Sequence, residues 1–99
     1  MTSCNSRDDT ELAPYALVMA DDSMAPRYLA GETLFVDPTQ RVRAGDYVVA
    51  HLPARLVVMR LVRADPRTVE LGSLNPPSAI VLARRRLRAL HKIVLAGRG

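Results

Sequence analysis

Tyr15-Ala16-Leu17-Val18-Met19-Ala20-Asp21-Asp22-Ser23-Met24-Ala25-Pro26 is the stretch from which the rest of the chain is read. Its first five residues are short, apolar and β-compatible. Its last six are rich in turn formers, and Pro26, which has no N–H, disfavours helix at Ala25. The first unit is therefore a strand that runs into a polar turn. Such a turn presents a side chain at a surface, here the Ser23 hydroxyl.

The same alternation of short apolar run and breaker continues downstream. Residues 33–36 read as a strand stopped by Asp37-Pro38, and Ala44-Gly45-Asp46 reads as a turn. Residues 47–52 form the next strand, stopped by Pro53, and residues 56–62 another, stopped by Ala64-Asp65-Pro66. Residues 68–71 follow, then Gly72-Ser73-Leu74-Asn75-Pro76-Pro77 as a loop, then a strand over 79–82. The last segment, residues 87–95, has good helix formers at its basic start, over 83–90, and a β-like end at Ile93-Val94-Leu95. Six or seven short strands punctuated by Gly and Pro predict a mainly β body, barrel-like or sandwich-like. Upstream, residues 1–14 are polar and read as a flexible leader closed by Pro14, so one domain is expected over residues 15–99.

A chain of 99 residues suits one small domain with a limited core, for which dimerisation is a natural support. At 48% hydrophobic residues, disorder of the whole chain is excluded. No window approaches the ~20 apolar residues of a membrane helix, and the N-terminus carries no apolar signal segment, so a cytoplasmic protein without membrane contact is expected. The single cysteine, Cys4, cannot form an internal disulfide and reads as an incidental thiol of a reducing compartment. His51 and His91 lack zinc-site spacing, so neither a metal nor a cofactor is expected. The net charge of +4 permits nucleic-acid contact. Much of the excess sits in Arg84, Arg85, Arg86 and Arg88, which read as a solvated face, and aromatic residues for stacking on single strands are few at 4%.

The order of motifs is informative. Asp22-Ser23-Met24-Ala25-Pro26 is followed by Ala30-Gly31-Glu32 and Leu34-Phe35-Val36-Asp37, then Gly45, Val48-Val49-Ala50, Val58-Met59-Arg60-Leu61, Leu74-Asn75-Pro76 and a closing run through Ile93 to Arg98. This order resembles the C-terminal domains of LexA and phage CI-type repressors and the related UmuD, over about residues 15–98. The resemblance implies a LexA-like, strongly bent β-ribbon or barrel-like body and a role in transcription regulation of the phage-repressor or SOS type. It also implies a Ser–Lys dyad that cuts a peptide bond in the same or a partner chain. Ser23 holds the nucleophile position. The family lysine, in a Val-Lys-Arg-Leu strand, falls on Met59.

A lysine serves as base only when its pKa is brought down from ~10.4 toward neutrality. Methionine has nearly the same length and no basic nitrogen. Arg60 stays protonated and is expected on the opposite strand face, and Lys92 and His91 lie elsewhere in the motif order. Family repressors also carry a scissile Ala-Gly or Cys-Gly pair well before the nucleophile, and the 22 residues ahead of Ser23 contain none. The chain is therefore expected to be an isolated C-terminal domain, without room for a helix-turn-helix before it. Three readings follow. The first is a regulatory homodimerisation domain without self-cleavage, which meets DNA only through an attached or separate DNA-binding domain. The second is an active serine peptidase, auto- or trans-cleaving, that uses Ser23 with a different base. The third is a direct nucleic-acid binder, resting on charge alone. For the dimer, residues 89–97, apolar at Leu90, Ile93, Val94 and Leu95, are the expected contact, as an unpaired edge strand.

Overall fold

The strands follow from where the β-branched and apolar residues sit, and in a computed structural model they join into one antiparallel sheet. The structure describes residues 13–97. Cys4 and nearly all of the expected leader lie outside the described residues. In chain order the elements are β1 (Tyr15–Val18), β2 (Thr33–Asp37), β3 (Tyr47–His51), β4 (Leu56–Ala64), β5 (Thr68–Leu74), β6 (Pro77–Ala83), a 3-10 turn (Arg84–Arg86) and β7 (Ala89–Gly97). The sheet order is β1-β2-β7-β3-β4-β5-β6, with β1 and β6 at its ends. The mainly β class read from the sequence is the class observed.

Both faces of the sheet are covered in its middle, which explains the composition of β3. Val48, Val49 and Ala50 are all fully buried, so this strand does not alternate. Val49 joins Met19, Met24, Tyr28, Leu34, Val36 and Ile93 in one core cluster. Val48 and Ala50, pointing the other way, join Leu61, Val69 and Leu71 in a second. Each fully buried Leu or Val contributes roughly 1.5–3 kcal/mol over its exposed state. β2, covered on one face only, alternates as expected: Leu34 and Val36 are buried and Phe35 is exposed. Bulges bend the ladder between Phe35 and Val36 and between Leu61 and Arg63.

Three expectations about the elements need correction. The stretch 72–77 is not a loop: β5 runs through Leu74, β6 starts at Pro77, and only Asn75 and Pro76 turn the chain. Gly72 is used as a small strand residue there, since a Cβ would lie 3.2 Å from the Val62 side chain. The helix formers over 83–90 give only a single 3-10 turn, Arg84–Arg86, which buries no residue. So short a helix has no packing to offset its nucleation cost. Finally, β7 is not an edge. It lies inside the sheet, antiparallel to β2 on one side and β3 on the other. Among the described residues no helix is long and apolar enough to cross a membrane.

Candidate active site

The turn carrying Ser23 is built from its anchors. At its base, the Met19 N–H donates to the Glu32 carbonyl at 2.8 Å and the Gly31 N–H donates to the Met19 carbonyl at 2.9 Å. Gly31 has φ +93°, a left-handed conformation that glycine adopts at little cost. Inside the turn, the Asp21 carboxylate accepts the Ser23 backbone N–H at 3.0 Å, and the Asp22 carboxylate accepts the Ala30 N–H at 2.8 Å. Met24 is fully buried and Tyr28 nearly so, which plugs the turn into the core on both sides of Pro26. The Ala25–Pro26 and Asn75–Pro76 bonds are both cis.

A second set of bonds fastens this turn to the β5–β6 turn. The Ser23 carbonyl accepts the N–H groups of Leu74 at 3.0 Å and Asn75 at 2.8 Å. The Asn75 side-chain amide donates to the Asp22 carbonyl at 3.1 Å. Beside it, the Ser73 hydroxyl bonds the Ser78 hydroxyl at 2.7 Å and donates to the Pro76 carbonyl at 3.1 Å. Ser23 is thereby held half-buried, facing an open cleft of about 560 Å³ between the end of β1 and the start of β4.

Met59 lines that same cleft, so the two residues singled out by sequence are brought together, 36 positions apart. Met59 is half-buried, sits opposite the fully buried Val48 across the β3–β4 ladder, and packs on the second core cluster. Arg60 is exposed and does not line the cleft, in keeping with strand alternation. Lys92 is also absent from the cleft lining and lies 3.8 Å from Asp46. The other lining residues are mostly apolar, among them Leu17, Val18, Met19, Leu56, Val58 and Ile80.

The ionisable groups of the cleft decide its chemistry. Asp21 and Arg55 are the two present in its lining. Hydrogen bonds from the Ser23 backbone N–H, and next from its hydroxyl, hold the Asp21 carboxyl below its ordinary value, which makes it a weaker base. A guanidinium does not deprotonate in this range. The lining thus offers a hydroxyl, an apolar wall and no group of near-neutral pKa to take the hydroxyl's proton.

Sequence reading did not foresee three parts of this arrangement. Ser73 was hidden by the loop reading of 72–77, and the fastening of Ser23 by Asn75 joins positions 52 apart. The third is a cluster away from the cleft. The Tyr15 hydroxyl lies 2.9 Å from His51 Nε2 and 2.8 Å from His91 Nδ1, and the two imidazole centroids are 4.4 Å apart. Two histidines read as isolated are neighbours because β3 and β7 are paired.

Comparison with known proteins shows the family. The profile of the family described as Peptidase S24-like matches residues 4–94. Repressor protein C of Rhizobium phage 16-3 is 33% identical over 93 residues, a match covering 85% of this chain and 35% of that protein. The chain therefore spans about a third of the length of that relative. With the family profile covering most of its residues, the chain belongs to the Peptidase S24-like family.

Proposed function

We propose that the chain is a regulatory self-association domain of the phage-repressor type, in which Ser23 holds the nucleophile position and Met59 the position of the lost general base. The presence of Met59 in the Ser23 cleft carries the reading. The thioether accepts no proton, and the carboxylate in the cleft lining, Asp21, is made a weaker base by the hydrogen bonds it accepts from Ser23. Loss of a general base alone typically costs ~10²–10⁴ in rate. The printed name of the phage relative supports a repressor role. In this reading sequence-specific DNA binding belongs to another domain, attached or separate, and pairing of this domain brings two such domains to one operator.

Pairing through the outer face of the β1–β2–β7 end of the sheet accounts for an apolar row. Ala16, Phe35 and Leu95 are register neighbours across three strands, all exposed, with Leu95 at 63% of its full accessibility. A row of this kind suits an isologous contact with a second copy.

The decisive experiment is incubation of the protein alone, and separately with a LexA-type Ala-Gly cleavage-site peptide, at alkaline pH. No product is expected. Product that disappears in Ser23→Ala would establish the competing reading, an active peptidase with a different base.

A further inference from the structure

A second concave region, away from the Ser23 cleft, lies where the 3-10 turn meets the end of β4. It encloses about 370 Å³, and Arg84, Arg88 and Gln40 line it together with Val42 and Leu87. Arg85 and Arg86 belong to the same exposed turn. Arg41 and Arg43 flank Val42 in the chain and are exposed. Two arginines thus line the groove and four more adjoin its lining residues in the chain, and none of the six has an ion-pair partner among the described residues, where the pairs are Arg63–Glu70 and Lys92–Asp46.

The neighbouring carboxylates are already engaged. Asp65 accepts the backbone N–H groups of Arg67 and Thr68 at 2.9 and 2.7 Å. Asp46 accepts the Arg43 N–H at 2.8 Å and also faces Lys92. Asp37 is bonded by Thr39 and Gln40. Arg84 is itself aimed: its Nε donates to the Asp65 carbonyl at 3.0 Å, which fixes the guanidinium plane and leaves its terminal nitrogens for a ligand.

We infer that this groove is a docking surface for the phosphate backbone of duplex DNA, bound without regard to base sequence. The cationic groups are arginines, whose planar forks match phosphate oxygens in pairs. Protein–DNA interfaces are strongly positive, whereas the core of a protein–protein interface is depleted of charge, so a groove lined by unpaired arginines and bordered by more of them in the chain fits DNA better than an acidic protein. No aromatic side chain lines the groove, which disfavours single strands, since those are held by stacking. The inference goes beyond the regulatory reading and does not need it: the groove is separate from the Ser23 cleft, and its arginines need neither a silent serine nor a dimer. A repressor domain with such a surface adds a weak contact beside the operator and leaves base recognition to a separate reading domain.

Fluorescence anisotropy of this chain with a labelled random duplex, titrated at several salt concentrations, tests the inference. Affinity is expected to fall linearly with salt on logarithmic axes, with about 0.9 of slope for each phosphate contact. Arg84→Ala/Arg88→Ala is expected to reduce the slope by about 1.8, whereas Arg27→Ala, which removes a charge beside the Tyr28 and Tyr47 rings, leaves it within about 0.3. Thermal unfolding of each variant accompanies the titration, and all are expected to stay folded at the titration temperature, the groove variant losing no more than the Arg84 hydrogen bond to the Asp65 carbonyl and Arg27→Ala its contact with the two rings. If Arg27→Ala reduces the slope by as much per arginine removed as Arg84→Ala/Arg88→Ala does, only net charge is at work and the surface is not a site. If polyglutamate of equal charge displaces the duplex at equal concentration, the partner is an acidic protein and the inference fails. Binding that does not change with salt also overturns it.

Discussion

The Asn75 backbone N–H donates to the Ser23 carbonyl oxygen at 2.8 Å, and the Asn75 side chain reaches the adjacent Asp22 carbonyl at 3.1 Å. One residue therefore holds the Ser23 turn by two bonds of different kinds. Asn75→Ala removes only the side-chain bond. It is expected to cost about 0.5–1.5 kcal/mol by urea unfolding, the net worth of one such bond. Faster amide exchange is expected at Ser23 and Ala25, with exchange in β3 unchanged. An unaltered exchange pattern would show that Asn75 does not set the rigidity of the turn.

The wall around Met59 gives a second expectation. Val48, its register partner, is fully buried, and Met59 packs with Val57 on the second core. Met59→Lys places an ammonium against that wall and is expected to lower stability at neutral pH by about 1–3 kcal/mol. Desolvation lowers the folded-state pKa of such a lysine below its ~10.4 in the unfolded chain. The unfolded state then binds more protons, so the deficit shrinks as pH rises from the folded pKa toward the unfolded one. Urea midpoints of parent and variant between neutral and alkaline pH measure this. A deficit that does not vary with pH would mean that the new side chain reaches solvent. Peptide cleavage by the variant that rises with pH and vanishes with Ser23→Ala would in addition show that the missing amine alone silences the site.

Most of the fold was legible because the local signals agree with each other. Asp37-Pro38, Pro53 and Asp65-Pro66 stop strands for reasons internal to the chain, and the ends of β2, β3 and β4 fall within two residues of the expected ones. Ser23 and Met59 were legible as positions in an ordered set of motifs, and the cleft brings them together. Pairing was not legible. Nothing local shows that β7, last in the chain, inserts between β2 and β3, since its partners lie about forty and sixty positions away. The same long-range pairing creates the Tyr15–His51–His91 cluster, for which spacing in sequence carries no signal. The helix formers over 83–90 give no more than one 3-10 turn for an energetic reason: their helix propensity is worth a few tenths of a kcal/mol per residue, and the β7 ladder outweighs it.

His51 supplies a pH-dependent term. Its burial against Tyr15 and His91 lowers its pKa below the ordinary 6.5. In the window between the lowered folded pKa and about 6.5, the unfolded state binds the extra proton, so stability rises with pH there. This contribution is present above 6.5, is lost as pH falls through that window, and is flat below it. Thermal melting of the parent and of His51→Gln across pH 5–8 tests the expectation: the parent's melting temperature falls more on acidification than the variant's. Parallel curves would assign the acid sensitivity to other groups.

The last expectation separates a dimer face from a core, using two residues of one strand. Ile93 is 7% exposed and packs in the first core cluster, whereas Leu95 is 63% exposed and lies beside Phe35 on the outer face. The bulge opposite Phe35 and Val36 takes up Val94, so the two side chains point to opposite faces although their positions share a parity. Ile93→Asp leaves a charge among apolar side chains and is expected to unfold the domain or cost about 3–5 kcal/mol. Leu95→Asp is expected to cost about 1 kcal/mol or less, since its side chain already meets solvent. If the outer face pairs two copies, Leu95→Asp and Phe35→Asp each weaken the dimer at least tenfold in sedimentation across a dilution series, with the circular dichroism spectrum retained. A parent that stays monomeric at high micromolar concentration would refute self-association. A dimer indifferent to both substitutions would move the contact off this face while leaving pairing itself intact.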